Sequence, residues 1–292
     1  MNIVHRAARA RAAYLFVLPA YTTFAIFTLW PLLQSVLTSF QRVGIQRRDW
    51  IGIGNYERML ADEVFWRALV NTLLLSALIV PLVMICGLGI AVVAVRLSRR
   101  WQSLLRSAFY LPAVASAVVL SLVWLWILNP IYGLLNYLLG LVGFAPIAWL
   151  GQSETALLGI LLVVFSFSLG GPVILFIAGL NSVPQELYEA ARIDGASGWQ
   201  EFSNIALPLI RPTSAFVMIT TTIGTFQVFT VIQIMTRGGP ANATQTIVYR
   251  IYEKAFLVSD FGYASALSVL LLGVAYAVAL VQMRVVGREV QY

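Results

Sequence analysis

Charge is what this sequence has least of. Only 11% of its 292 residues are Asp, Glu, Lys or Arg, against about 25% in a soluble domain. Histidine, cysteine and lysine occur once each, as His5, Cys86 and Lys254. Each scarcity removes a class of chemistry. One histidine in a basic N-terminal stretch leaves no His-based triad and no HExxH zinc site. One lysine, in Tyr252-Glu-Lys-Ala255, follows no glycine-rich turn, so the chain has no phosphate-binding P-loop. A single cysteine excludes a disulfide framework, and Cys86, inside an apolar run, reads as a small packing residue. The carboxylates lie almost wholly outside the apolar runs, which leaves proton relays unsupported.

What is present is hydrophobic length. Apolar residues make up 60% of the chain, and six windows carry no charge: Ala12–Gln41, Ala68–Val95, Ser107–Ser153, Thr155–Gln185, Pro212–Thr236 and Phe261–Met283. Each exceeds the roughly 20 residues a helix needs to cross a bilayer. The runs are continuous rather than alternating, which favours helices over barrel strands. The expected fold is therefore all-α: a polytopic membrane protein with six transmembrane helices near Tyr14–Leu37, Asn71–Val95, Tyr110–Leu128, Leu157–Leu180, Ser214–Met235 and Ala264–Val286. One domain covers 1–292, with tails at 1–13 and 284–292. Residues 131–150 carry Asn136, three glycines and Pro146, and read as a short or re-entrant element. The first apolar run is too long for a signal peptide and reads as a retained span.

The net charge of +7 does not indicate nucleic acid, because the basic residues flank spans. Six spans place the N-terminal tail, Arg96–Arg106, Asn181–Pro212 and the C-terminal tail on one side, with 11 Lys/Arg against 8 elsewhere. By the positive-inside rule that side, with both termini, is cytoplasmic.

The longest interruption on that side is 181–212. Ser182-Val-Pro-Gln185 has capping-box spacing with Pro184 in a first turn. Asp194-Gly195 should close a helix ending near Arg192–Ile193, with Gly195 left-handed. Ser197-Gly-Trp-Gln200 should open a second helix that Pro208 and Pro212 stop. Two short helices would then expose the small residues Ala190 and Ala191. An ordinary surface connector and a docking surface both fit.

The residues of this loop resemble the EAA motif of permease subunits of ATP-binding-cassette (ABC) importers. Glu189-Ala190-Ala191, Gly195, Ile205 and Leu207-Pro208 meet every position of that motif at its spacing. Other segments resemble the carbohydrate-importer branch, of maltose and glycerol-phosphate type. They include Phe16-Val-Leu-Pro19, Trp30-Pro31, Gly52-Ile-Gly-Asn-Tyr56, Asn71-Thr72, Tyr110-Leu-Pro112, Gly238-Gly-Pro240 and Gly262-Tyr-Ala-Ser-Ala266. The resemblance implies a cell inner-membrane permease, not itself an enzyme and binding no cofactor. ATP-Mg would be used by a cytoplasmic ABC ATPase dimer. The other implied partners are a second EAA-type permease subunit and an extracytoplasmic solute-binding protein. Glu189, Ala190, Ala191, Asp194, Gly195, Leu207 and Pro208 would form the coupling surface for the ATPase.

The substrate that the resemblance implies is a di- or oligosaccharide, with a glycerol-3-phosphate-type compound as the alternative. In another class, the chain would be a membrane scaffold that docks a cytoplasmic partner. A sugar path needs hydroxyl and amide partners without fixed charge. Thr221, Gly224, Thr225, Gln227 and Val228 in the fifth span and Phe167, Ser168 and Gly171 in the fourth supply the candidates. Helix packing by the same small residues is the competing reading. Basic residues lining that path would favour the glycerol-phosphate alternative, and the first five expected spans hold none. Trp124, Trp126 and Trp149 read as interfacial anchors.

Overall fold

A computed structural model describes residues 3–43 and 48–286; the expected tail beyond 286 lies outside them. The chain forms two compact units, Met1–Ala61 with Ile251–Leu270 and Asp62–Arg250 with Leu271–Tyr292.

The first unit opens with α1 (Ile3–Phe24), a π turn over Ala25–Leu29 and α2 (Trp30–Ser39). The helix thus begins at Ile3, inside the segment expected as a tail. Strands β1 (Gln41–Val43) and β2 (Arg48–Trp50) pair antiparallel with Arg42 opposite Asp49, a small departure from an all-helical chain. In α3 (Gly54–Leu60), the buried Asn55 amide donates to the Ser39 and Gln41 carbonyls, both at 2.9 Å. Gly262 lies so close to Gln41 that a Cβ would overlap its carbonyl oxygen. Asp260 pairs with Arg58 at 2.8 Å. The Gly-Asn-Tyr and Gly-Tyr-Ala segments singled out by resemblance are therefore packing residues of this unit.

The second unit is built on α4 (Glu63–Val95), 33 residues long. It starts eight residues before the expected Asn71 because Asp62 caps it, accepting from the Val64 N–H at 2.9 Å. The same carboxylate pairs with Arg250 at 2.8 Å. More than two turns further along α4, the Asn71 amide donates to the carbonyls of Ala243 (3.0 Å) and Gln245 (2.9 Å), while Thr72 Oγ1 accepts from the Ile247 N–H at 3.1 Å. These bonds hold residues 236–247, where Arg237, Gly238, Ala241 and Asn242 all have positive φ.

The remaining spans are bent. The third is α5 (Arg99–Val114) followed by α6 (Ala117–Ile127) at 98°, and not the single helix expected from Tyr110 to Leu128. Pro112 in the last turn of α5 cannot donate a hydrogen bond, and Ser116 caps α6 by accepting from the Val118 N–H at 3.3 Å. Because α5 starts at Arg99, this bent pair contains Arg99, Arg100 and Arg106, which corrects the expectation of a third span free of basic residues. The short α7 (Leu134–Leu141) precedes α8 (Ser153–Ser168), which meets α9 (Gly170–Asn181) at 43°, beside the Gly-Gly-Pro at 170–172. Between α7 and α8, Trp149 is buried and donates to Asn136 Oδ1 at 2.9 Å. It is a core residue of the 131–150 element and not an interfacial anchor, because burial of its indole N–H requires that acceptor.

Beyond α9, the polar loop holds α10 (Gln185–Ile193), α11 (Gly198–Glu201), a π turn over Phe202–Ala206 and α12 (Leu207–Leu209). The fifth span is α13 (Arg211–Phe226), a break at 227–229 and α14 (Thr230–Met235); α15 (Ile247–Tyr252) and α16 (Phe261–Val286) complete the chain. Among the described residues, four helices are long and apolar enough to cross a membrane, and six spans result when each bent pair counts as one.

Candidate functional site

The loop after α9 is built by local rules and then tied to the helix ends. Ala196 donates its N–H to the Ala191 carbonyl (2.9 Å) and Gly195 donates to Arg192 (3.1 Å), the two bonds of a Schellman cap. Gly195 has φ +79°, and nothing lies within 4 Å of where its Cβ would stand, so the demand there is conformational and not steric. Ser197 and Gln200 form the expected capping box: Ser197 N–H donates to Gln200 Oε1 at 2.7 Å, and Gln200 N–H to Ser197 Oγ at 3.4 Å.

Two details differ from expectation. Ser182 does not cap α10: its hydroxyl donates backward to Gly179 O at 2.7 Å, and Pro184 is the N-cap, without a side-chain bond. The second helix is not stopped by Pro208. The preceding π turn, closed by Leu207 N–H on Phe202 O, inserts an extra residue and lets the helical path continue through the proline. Pro212 likewise opens α13, where its missing N–H is harmless.

Between α10 and α11 runs the ion pair Arg192–Glu201, with Nε to Oε1 at 2.8 Å and Nη2 to Oε2 at 3.3 Å. The hydrogen bond from Arg192 holds the Glu201 carboxyl below its ordinary range, and the positive charges of Arg192 and Arg96 add to this. Burial raises the Tyr188 phenol, with the Glu201 charge contributing. Below this pair is an open groove of about 910 Å³ lined by Val95, Arg96, Tyr188, Arg192, Glu201 and Phe202, among others.

The inner face of the loop was not legible as such. Val183, Ala206 and Ile210 are buried in one cluster with Ala91 and Ala94 of α4, Val173, Phe176, Ile177 and Leu180 of α9, and Val217 of α13. Tyr188, Phe202, Ile205 and Leu209 pack against it. The apolar spacing of Phe202, Ile205, Ala206 and Leu209 was the available signal. Outward, Glu189, Ala190, Asp194, Gly195 and Leu207 are exposed, whereas Ala191 and Pro208 are half-buried. Glu189 accepts from Gln185 Nε2 at 2.9 Å. Beside them stand two apolar side chains with no cover, Ile193 at 88% and Trp199 at 73% exposure.

The substrate-path candidates divide. A cavity of about 280 Å³ is lined by Phe167, Ser168, Gly171, Thr221 and Gly224, together with Val164, Pro172, Leu175 and Thr220. It carries no charged residue. Space is open at Gly171 and Gly224, where an added Cβ would meet nothing within 4 Å. Thr225, Gln227 and Val228 are left out. Thr225 is buried and its hydroxyl donates to the Thr221 carbonyl at 2.8 Å. Val228 is buried in the break after α13, so the expected face through Thr221, Thr225 and Val228 does not persist; Gln227 caps α13 and lines no part of the cavity.

Residues 80–291 match the family described as binding-protein-dependent transport system inner membrane component. The chain belongs to this family. It is 36% identical to the probable ABC transporter permease protein YurN of Bacillus subtilis, over 93% of this chain and 94% of that one. It is 32% identical to the trehalose/maltose transport system permease protein MalF of Thermococcus litoralis, over 94% of each chain. In structure it resembles a chain of a bacterial ABC transporter involved in import of the acidic polysaccharide alginate, with TM-score 0.83, 25% identity and 99% coverage of both chains. This permease thus has the α-helical fold of ABC importer membrane subunits, and the 185–209 loop lies inside the matched region.

Proposed function

We propose that this permease carries a di- or oligosaccharide across the inner membrane and takes its energy from a separate ATPase, which docks on the 185–209 loop. The observation that carries the coupling role is the construction of that loop. A Schellman cap, a capping box and an ion pair fix its shape, its inner face is built into the ends of α4, α9 and α13, and Ile193 and Trp199 stand uncovered beside Glu189 and Ala190. A rigid lever with an apolar outer face suits transmission of a partner's movement to the spans. ATP-Mg binds in that partner, and no cofactor is assigned to this chain. The other proposed partners are a second EAA-type permease and an extracytoplasmic solute-binding protein, with both termini and the loop on the cytoplasmic side. A relative with a solved structure is described in complex with an alginate pentasaccharide-bound periplasmic protein.

The charge-free cavity of α8, α9 and α13, with the Phe167 ring and the Ser168 and Thr221 hydroxyls, suits a neutral carbohydrate surface. Relatives include a sulfoquinovosyl glycerol permease of Agrobacterium fabrum and the sn-glycerol-3-phosphate permease UgpA of Yersinia pestis. A glycerol-phosphate substrate is the second reading, and the 32% identity to UgpA over 96% of this chain is what favours it. Mild-detergent purification of the tagged chain, with mass spectrometry of what accompanies it, tests the assembly. A P-loop ATPase and a second EAA-bearing permease are expected, and their absence would favour a scaffold. ATP hydrolysis by the complex, screened with neutral oligosaccharides against glycerol 3-phosphate, then separates the substrates.

A further inference from the structure

Three charges meet where the loop faces the end of α4. Glu201 sits in the first turn of α11 and pairs with Arg192 of α10 at 2.8 Å. Arg96, the C-cap of α4, lines the same groove, and its Nη2 stands 3.9 Å from where a Cβ on Gly198 would be. Among the described residues Arg96 has no ion pair of its own. It stands beside the N-terminal end of α11, where the helix dipole already presents positive charge. Without the Glu201 carboxylate, two guanidinium groups and that helix terminus would share the groove with no carboxylate lining it, and only the more distant charge of Glu189 would act on Arg192.

We propose that Glu201 is a positioning residue for coupling: it contacts Arg192, offsets Arg96, and so holds both loop helices against the end of the second span. This rests on the coupling reading of the loop. None of the three residues belongs to the EAA pattern of Glu189, Ala190, Ala191, Gly195, Ile205 and Leu207-Pro208. The role is therefore separate from presenting the docking face. A simple Arg192–Glu201 bridge would not involve Arg96, and this difference makes the proposal testable.

The experiment uses the full chain, purified with its accompanying ATPase. It reads ATP hydrolysis per complex and amide hydrogen exchange across 185–209. Glu201→Gln should lower hydrolysis about two- to fivefold at unchanged subunit ratio, the range expected for an exposed ion pair. It should also speed exchange over Gly198–Ala206. Arg96→Gln alone should lower hydrolysis less than Glu201→Gln does, because the Arg192–Glu201 pair survives it. Adding it to Glu201→Gln should recover most of the loss, because it removes the charge left without an offset. Unchanged hydrolysis in Glu201→Gln, or no recovery in the double variant, would overturn the proposal. If no ATPase accompanies even the unsubstituted chain, the coupling reading has failed, and with it the positioning role. The exchange data then report only whether Glu201 orders the loop.

Discussion

Gly195 shows how a single backbone requirement fixes the shape of the 185–209 loop. Its φ of +79° closes the Schellman cap, yet no atom lies within 4 Å of its missing Cβ. Gly195→Val should therefore cost about 1–2 kcal/mol by conformation alone. Gly195→Asn, which tolerates the left-handed region, should cost less. The expected outcome is loss of ATPase retention in the valine variant with the spans intact, measured by co-purification and thermal unfolding in detergent. Asn71 is a different kind of residue. Its buried amide holds the carbonyls of Ala243 and Gln245, so Asn71→Ala should cost about 1–3 kcal/mol for each carbonyl left without a donor. Exchange should rise first in residues 236–247. Gly195 was legible from Asp-Gly at a helix end. The reach of Asn71 across 174 positions in sequence was not, because nothing local encodes it.

The elements bend where their sequences permit it and stay straight where tertiary contacts insist. The fourth span bends at a Gly-Gly-Pro, and the third at Pro112 followed by a serine cap, whereas α4 runs through Pro81 without interruption. Hydropathy alone marked the runs correctly but could not say which proline would bend its helix, since neighbouring helices decide that. Within the loop, the α10–α11 connection depends on pH in a direction fixed by Glu201. Arg192 depresses its carboxyl, so the tie is fully present above the unfolded carboxylate value of about 4.3 and is lost as pH falls through the lower folded value. A titration of Trp199 fluorescence from pH 7 downward should stay flat until below the ordinary glutamate range. In Glu201→Gln the acid transition should disappear.

Across the whole molecule, adjacent glycines separate close packing from open space. A Cβ at Gly170 would meet the Phe109 carbonyl and the Ala113 side chain, where α5 packs on α9. Gly171 opens on the cavity instead. Gly170→Ala should destabilise by about 1–3 kcal/mol through overpacking. Gly171→Phe should leave thermal stability and partner retention unchanged while abolishing substrate uptake. Uptake that survives Gly171→Phe would remove the cavity from the transport path. The sequence by itself determined that the chain is helical and membrane-embedded, because bilayers admit few solutions for such long uncharged runs. It also determined the turn chemistry of the loop, because caps and left-handed glycines are read within a few residues. Tertiary structure decided what depends on contact at a distance. It brought Ser168 and Thr221 to one cavity while burying Thr225, placed Arg106 inside a helix, buried Trp149 on Asn136, and set Arg96 beside Glu201. Those outcomes follow from which helix ends meet, and residues far apart in the chain carry no local record of that.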